Sequence, residues 1–261
     1  MMRWLWAFLA IYAAARFTQA FPDEIPMAVI VALHVLPPLA FSIVHGAALY
    51  RLRGILMFLL LCVIVGGGFE ELSLHTGFPF GHYYFTAAMG PKILQVPILL
   101  GLAYVGIGYL AWTLAGIILA EPRVVARPLL AAAIMTAWDL AMDPVWANLV
   151  HAWVWERGGA YFGVPLSNFL GWYLTNYTLY QLFALAVRTR AEGSAAFWRV
   201  AVVFYAVSAA GNLIVLAPRH LVTFTDAAGV TWRVSNMMLA SALVSIFVMG
   251  GFALVAWRRL R

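Results

Sequence analysis

Two acidic residues interrupt an otherwise apolar stretch in the middle of the chain. Asp139 and Asp143 lie within residues 127–150, which read RPLLAAAIMTAWDLAMDPVWANLV. A spacing of i, i+4 places both on one face of a helix, about a turn apart. Like charges this close in a low dielectric resist double ionisation, so the pair is expected to hold a proton at neutral pH. An acid catalyst or a proton carrier needs such a proton, and acids within a membrane usually mark a functional site.

The composition indicates that these acids lie inside a membrane protein. The chain has 261 residues, of which 65% are apolar and 10% are charged, and this balance is typical of an integral membrane protein. The net charge of +6 is dispersed, and no basic patch suggests a nucleic-acid partner. The single cysteine, Cys62, excludes a disulfide framework and a thiolate metal cage. We expect one integral membrane domain over residues 1–261.

The hydropathy pattern predicts an all-α polytopic membrane bundle. About eight transmembrane helices are expected, at residues 3–20, 26–48, 54–74, 96–119, 127–150, 165–187, 197–217 and 236–257. Basic residues concentrate on one side, which predicts cytoplasmic N- and C-termini in a bacterial inner membrane. The first run resembles a signal peptide that ends at Thr18-Gln19-Ala20. Because Arg16 interrupts its apolar region, we expect a retained helix instead.

The outer connections predict structured loops that carry part of a site. Residues 70–92 and 151–172 are rich in Gly, Pro and aromatic side chains. At about 1.5 Å per residue, Glu71 and Asp143 lie at similar depths in the outer half of the bundle, where Asn168 begins the sixth span. We therefore predict that Glu71, Asp139, Asp143 and Asn168 line one cavity.

The sixth span carries a polar and aromatic stripe. Asn168, Trp172, Asn176 and Tyr180 recur every four residues. This spacing favours a helix face that points into the bundle rather than toward lipid.

Several cofactor chemistries do not fit the sequence. Its six histidines form no pair at i+3 or i+4, as a membrane metal centre would need. Gly66-Gly67-Gly68 lacks the spacing of a dinucleotide fingerprint, and no Gly-x-Ser-x-Gly elbow is present. The two aspartates faintly resemble a prenyltransferase diphosphate motif, but a second acidic motif and basic diphosphate ligands are missing near them. We expect acid chemistry without a cofactor or metal, on an apolar substrate from the bilayer.

Such a site could protonate an isolated alkene. A neutral carboxylic acid in a dry pocket can act as the donor, and aromatic faces can stabilise the resulting tertiary carbocation by about 2 kcal/mol each. A water molecule held by an Asn, a Tyr or a second carboxylate would then capture the cation.

Four stretches of the chain resemble one known family, the membrane-integral carotenoid 1,2-hydratases of γ-carotene, lycopene or bisanhydrobacterioruberin. The stretches are ELSLHTGFPFGHYY (71–84), MGPKILQVP (89–97), DLAMDP (139–144) and WVWERGGAYFGVPLSNFLGW (153–172). They cover about the central third of the chain. The resemblance implies hydration of the terminal double bond to a tertiary alcohol, without a cofactor; the partners would be the carotenoid, water and the lipid bilayer.

The candidate residues follow mainly from the physical interpretation. The catalytic candidates are Asp143, Asp139, Glu71 and Glu70, with Asp143 slightly favoured as the proton donor. The candidates for substrate binding are Asn168, Trp172, Asn176, Phe80, Tyr83, Tyr84, Trp146, Trp153, Tyr161, Phe169 and His75. Three alternatives stay open: a lycopene-type cyclase or isomerase, a proton-coupled transporter, and a non-catalytic carotenoid-binding protein.

Overall fold

The computed structural model describes residues 1–120, 123–186, 193–214 and 221–261. These residues are mostly helical. The helices are α1 (Met2–Phe17), α2 (Met27–Leu61), α3 (Gly67–Thr76), α4 (Ile98–Leu119), α5 (Ala126–Val145), α6 (Leu166–Ala186), α7 (Ala195–Gly211), α8 (Val234–Leu243) and α9 (Gly250–Arg259). Three π-helical turns extend or join them: Cys62–Gly66 joins α2 to α3, Trp146–Val150 extends α5, and Val244–Met249 joins α8 to α9.

Four helical segments in the described part of the chain are long and apolar enough to cross a membrane. They are Met27–Thr76, Ile98–Leu119, Ala126–Val150 and Val234–Arg259. The first contains 50 residues, more than twice what one crossing requires. Arg51 breaks it, with φ 59° and ψ 172° inside α2. The chain therefore forms two helical rods there, one on each side of Arg51.

All eight predicted runs coincide with helices, although the count of eight membrane spans stays a prediction. The helices α1 and α7 have 16 and 17 residues, which is short for a full crossing. The predicted ends at residues 187 and 217 lie outside the described residues. The positions of the helices follow the apolar runs because only those runs can bury enough surface to be stable in a bundle or a bilayer.

The connections between helices contain short strands, as expected for structured loops. Strand β1 (Tyr83–Phe85) pairs antiparallel with β4 (Trp153–Trp155), while β2 (Lys92–Ile93) pairs with β3 (Val96–Pro97) and β5 (Thr223–Thr225) with β6 (Thr231–Arg233). The β1–β4 pair joins the segment after α3 to the segment after α5, so it covers the end of the bundle where α3 and α5 end and α6 begins.

The helix α5 is largely buried inside the bundle. It packs against α4, α6 and α8. Its residues Ala131, Met135, Asp139 and Asp143 are almost fully buried. Both acids therefore lie inside the protein and not on the surface of the bundle.

Candidate active site

The two aspartates of α5 meet an asparagine at the start of α6. Asn168 donates one hydrogen bond from Nδ2 to Asp139 Oδ2 at 2.9 Å and another to Asp143 Oδ2 at 2.6 Å. The amide group thus connects the two carboxyl groups with both of its hydrogens. All three side chains are at most 1% exposed. The i, i+4 spacing on α5 makes this bridge possible, because it places both carboxyl groups on one side of the helix.

The β1–β4 pair supplies further donors to Asp143. The indole Nε1 of Trp153 donates to Asp143 Oδ1 at 2.9 Å, and that of Trp155 donates to the same oxygen at 3.3 Å. Residues two apart in a strand share a face, so both indoles point inward from β4. With Asn168, Asp143 receives three N–H donors, whereas Asp139 Oδ1 is buried with no partner among the described residues.

A third buried carboxyl group comes from α3. Glu70 is 4% exposed. Tyr104 on α4 donates a hydrogen bond to Glu70 Oε1 at 2.9 Å, and Tyr83 on β1 donates one to Oε2. Burial, and then the charge of the Glu70 carboxylate, raise the pKa of Tyr83. Tyr83 therefore stays a phenol that can donate this hydrogen bond near neutral pH.

One small cavity brings Glu70 and Asp143 together. It has about 270 Å³ of space free of protein atoms, of which about 20 Å³ can hold the centre of a water molecule. A site that holds one water needs roughly 10–15 Å³ by the same measure. The other lining residues are mostly aromatic: Phe80, Tyr83, Phe85, Leu100, Trp153, Trp155, Asn168 and Trp172. Two carboxyl groups therefore face an aromatic cavity with room for about one water molecule.

Close packing against α6 holds Phe80, one of the residues that line this cavity, in place. A Cβ atom at Gly171 would lie 2.6 Å from Phe80 Cδ1 and 3.0 Å from the carbonyl carbon of Pro79. Glycine therefore lets the loop after α3 lie directly against α6. Trp172, the next residue, stacks on Tyr104 with ring centroids 4.8 Å apart.

A larger apolar cavity adjoins the acid cavity. About 50 Å³ of it can hold the centre of a water molecule, and the wider space free of protein atoms, about 610 Å³, includes the open region at its mouth. It shares Leu100 and Trp153 with the acid cavity. Its other walls include Val31, Val35, Pro38, Ile107, Trp138, Met142 and Trp146. The end of an elongated apolar molecule could enter here, beside the acids, while the rest of it lies outside the cavity.

The structure does not bring Glu71 and His75 into the site. Glu71 accepts hydrogen bonds from His75 at 3.0 Å and from the backbone N–H of Gln95 at 3.2 Å. The His75 side chain is 59% exposed. The expectation that Glu71 lines the cavity is wrong, and Glu70 occupies that place. Neighbouring residues on a helix point about 100° apart, and here only Glu70 points into the cavity.

Three other residues predicted to bind substrate, Tyr84, Asn176 and Tyr161, do not line the acid cavity. Tyr84 is half exposed because alternate residues of β1 point to opposite faces, so its predicted place in the wall is wrong. Asn176 is buried, but its Nδ2 donates to Trp172 O within α6, away from the acid cavity. Tyr161 contacts Phe169 and donates to Leu140 O at 3.2 Å. The prediction that the stripe on α6 faces the bundle is confirmed, since all four of its residues are buried.

Four residues of the site were not predicted from the sequence: Phe85, Leu100 and Trp155, which line the acid cavity, and Tyr104, which donates a hydrogen bond to Glu70. The alternation in Trp153-Val154-Trp155 is a strand signal that could have placed both tryptophans on one face. Tyr104 lies in a uniformly apolar helix, and nothing in its local sequence distinguishes it from the other tyrosines.

Comparisons with known proteins agree on a biosynthetic family. The model of the family described as "Carotenoid biosynthesis protein" matches residues 27–234. The bisanhydrobacterioruberin hydratase of Haloarcula japonica is 29% identical over 119 residues. This alignment covers 44% of the chain and 40% of that relative. No solved structure matches the chain.

Proposed function

This chain belongs to the family of carotenoid biosynthesis proteins, and on that basis we propose that it is a carotenoid hydratase. It adds water across the terminal 1,2 double bond of an acyclic carotenoid end and forms a tertiary alcohol. The observation that carries the proposal is the aromatic cavity with two carboxyl groups and room for about one water. The hydratase name of the relative supports the same reaction class.

The proposal assigns the proton to the Asp139–Asp143 pair. Three N–H donors favour the carboxylate form of Asp143, whereas Asp139 has an oxygen with no partner among the described residues. Asp139 is therefore the better resting place for the shared proton. Asp143 lines the cavity; in the proposed step it takes the proton from Asp139, one turn away on α5, and gives it to the alkene. This assignment keeps both aspartates of the sequence prediction but gives them separate tasks.

The reaction then balances with water alone. The proton binds to C2 of the substrate, and the π electrons form that C–H bond and leave a tertiary cation at C1. The water oxygen binds to C1, and Glu70 accepts the water proton in place of Glu71, the residue first expected. Transfer of that proton back across the cavity to Asp143 restores the acid pair. No redox step occurs.

The aromatic walls fit the charge of this intermediate. Indole and phenol rings attract a cation over their faces by about 2 kcal/mol when water is excluded. Trp153, Trp155 and Trp172 surround the acid cavity, and the polyene would extend into the adjoining apolar cavity. In the proposed arrangement, the chain spans the bacterial inner membrane about eight times. Both termini lie in the cytoplasm, and the acids lie in the outer half of the membrane.

Production of the chain in cells that accumulate lycopene tests the proposal. We expect a hydroxylated carotenoid, and in heavy water one deuterium on the carbon next to the alcohol carbon. A cyclised or isomerised product without added oxygen would favour a cyclase or isomerase. An unchanged carotenoid would contradict the enzyme assignment and favour the transporter or the binding protein. A matched comparison uses E70Q and E71Q, because the two glutamates are neighbours and only the first lines the cavity.

A further inference from the structure

A second buried polar cluster lies at another end of the apolar cavity. Its central residue is Arg16, on the last turn of α1, which is only 5% exposed. Arg16 Nη2 donates to Asn212 Oδ1 at 2.5 Å. Arg16 and Asn212 both line the apolar cavity, together with His34.

The guanidinium group has no counter-charge among the residues that the structure describes. The one ion pair found there joins His75 to Glu71, and Arg16 Nε is buried without a hydrogen-bond partner. The acids outside the described ranges are Glu121 and Glu192, and residues 215–220, which follow the Asn212 turn, include no acid. A buried charge is normally paired, because desolvation without a partner is costly.

The neighbouring polar side chains are already occupied with one another. His34 contacts the Ile30 carbonyl oxygen through Nδ1 and Gln19 Oε1 through Nε2. Gln19 donates to the carbonyl oxygens of Gly211 and Ile214. These contacts fix the cluster but leave Arg16 with only neutral acceptors. The positive charge is thus the unmatched property of this end of the cavity.

Gly211 on α7 leaves the space that the Arg16 guanidinium group occupies. A Cβ atom at Gly211 would lie 1.7 Å from Arg16 Nε, so any larger residue on α7 would displace the side chain. Tyr12, one turn earlier on α1, holds its ring 5.9 Å from Arg16 Cζ. The cation is therefore held in place beside apolar walls formed by Val31, Val35 and Met142.

We propose that this end of the cavity binds a second kind of ligand, an elongated apolar molecule that ends in a carboxylate. Arginine matches a carboxylate in both charge and planar geometry, and the apolar walls accept the rest of the molecule. A hydrocarbon carotenoid leaves Arg16 unpaired, so this ligand differs from the proposed substrate. The shared residues Leu100 and Trp153 place it next to the acid cavity.

Binding of retinoic acid, with its methyl ester as the neutral comparison, tests the proposal. The purified full chain in lipid nanodiscs is titrated with each compound, and quenching of tryptophan fluorescence reports occupancy. We expect the acid to bind about tenfold more tightly than the ester, as hydrogen bonds to charged groups commonly contribute. Equal affinities in the unaltered chain would overturn the proposal. The assay needs no turnover, so its result is independent of the hydration reaction.

Three variants assign any preference to Arg16. In R16Q the preference for the acid should fall below about threefold, while binding of the ester persists and shows that the cavity is intact. N212D should have the same effect with Arg16 retained, because the new carboxylate pairs with the guanidinium. R3Q makes the matched change at an exposed arginine on the same helix and should keep the full preference. A preference that survives both R16Q and N212D would contradict the proposal.

Discussion

The cluster around Asp143 holds buried acids and the cluster around Arg16 holds a buried cation, and both stabilise these groups with neutral hydrogen-bond partners. Asp143 receives hydrogen bonds from two indoles and an amide, and Arg16 donates one to an amide. Neither has an ion-pair partner among the described residues. Neutral dipoles hold both, so the acids remain able to exchange a proton and the arginine remains able to accept an anion. An ion pair between the clusters would have removed both properties.

Of the substitutions that test this comparison, loss of either aspartate should cause the largest fall in hydroxylated product. In D143N the amide keeps the shape but cannot deliver a proton, so hydroxylated product should fall roughly a hundredfold or more. D139N should fall by a similar factor because it removes the partner that stores the proton. Chromatography of carotenoids from lycopene-producing cells, normalised to protein in the membrane, measures both. Near-normal hydration in both variants would place the acid elsewhere.

The neighbouring glutamates provide the next largest effect. E70Q should lower product by about tenfold to a hundredfold, because Glu70 would no longer accept the water proton. E71Q, on the outer side of the same helix, should stay within about twofold, as is usual for a surface substitution. The same chromatographic assay compares them. Equal losses, or a greater loss in E71Q, would show that Glu71 does face the reaction.

A substitution in the cluster around Arg16 should lower the stability of the protein rather than the amount of hydroxylated product. N212L leaves the Arg16 guanidinium without its amide acceptor, and the free energy of unfolding should fall by about 1–3 kcal/mol. Thermal unfolding in detergent measures the change. S194A, which removes the side-chain cap at the start of α7, is a control on the same helix with an expected loss of about 1 kcal/mol. An N212L variant as stable as the unaltered chain would mean that Arg16 does not depend on this contact.

The indole donors should show the smallest graded effect. W153F removes the donor at 2.9 Å from Asp143, and W155F removes the one at 3.3 Å. Product should fall by about threefold to tenfold in W153F and less in W155F, since the longer bond contributes less. Initial rates of hydration in membrane fractions separate the two. A larger loss in W155F would indicate that this ring acts chiefly as a wall for the cation.

The helices and the buried acids could be predicted from the sequence, because buried segments are long apolar runs and an acidic residue within such a run stands out. Asp139, Asp143 and Asn168 lie together as their depths suggested. The choice of Glu71 over Glu70 failed for a geometric reason. Glu71 was chosen by its depth along the helix, and neighbouring residues differ in depth by only about 1.5 Å but in direction by about 100°. Depth therefore does not distinguish the two glutamates, whereas the direction of the side chain does.

Other parts of the site depend on contacts that a single sequence does not reveal. Tyr104 is 34 residues from Glu70, and Arg16 is 196 residues from Asn212. Neither pair has a local spacing that could indicate contact. Tyr84 is different, because alternation along β1 would have predicted its outward direction once residues 83–85 were recognised as a strand.

The β1–β4 pair covers Asp143 on the side of the connecting loops, and this cover bears on how turnover must be measured. Tyr83 faces Trp155 and Phe85 faces Trp153 across this pair, and beneath it Asp143 is 1% exposed. If the proposed substrate reaches the acids from lipid, its effective concentration is its mole fraction in the bilayer. Dilution of the membranes in buffer would then leave the rate per enzyme unchanged, whereas dilution of the substrate with added lipid would lower it.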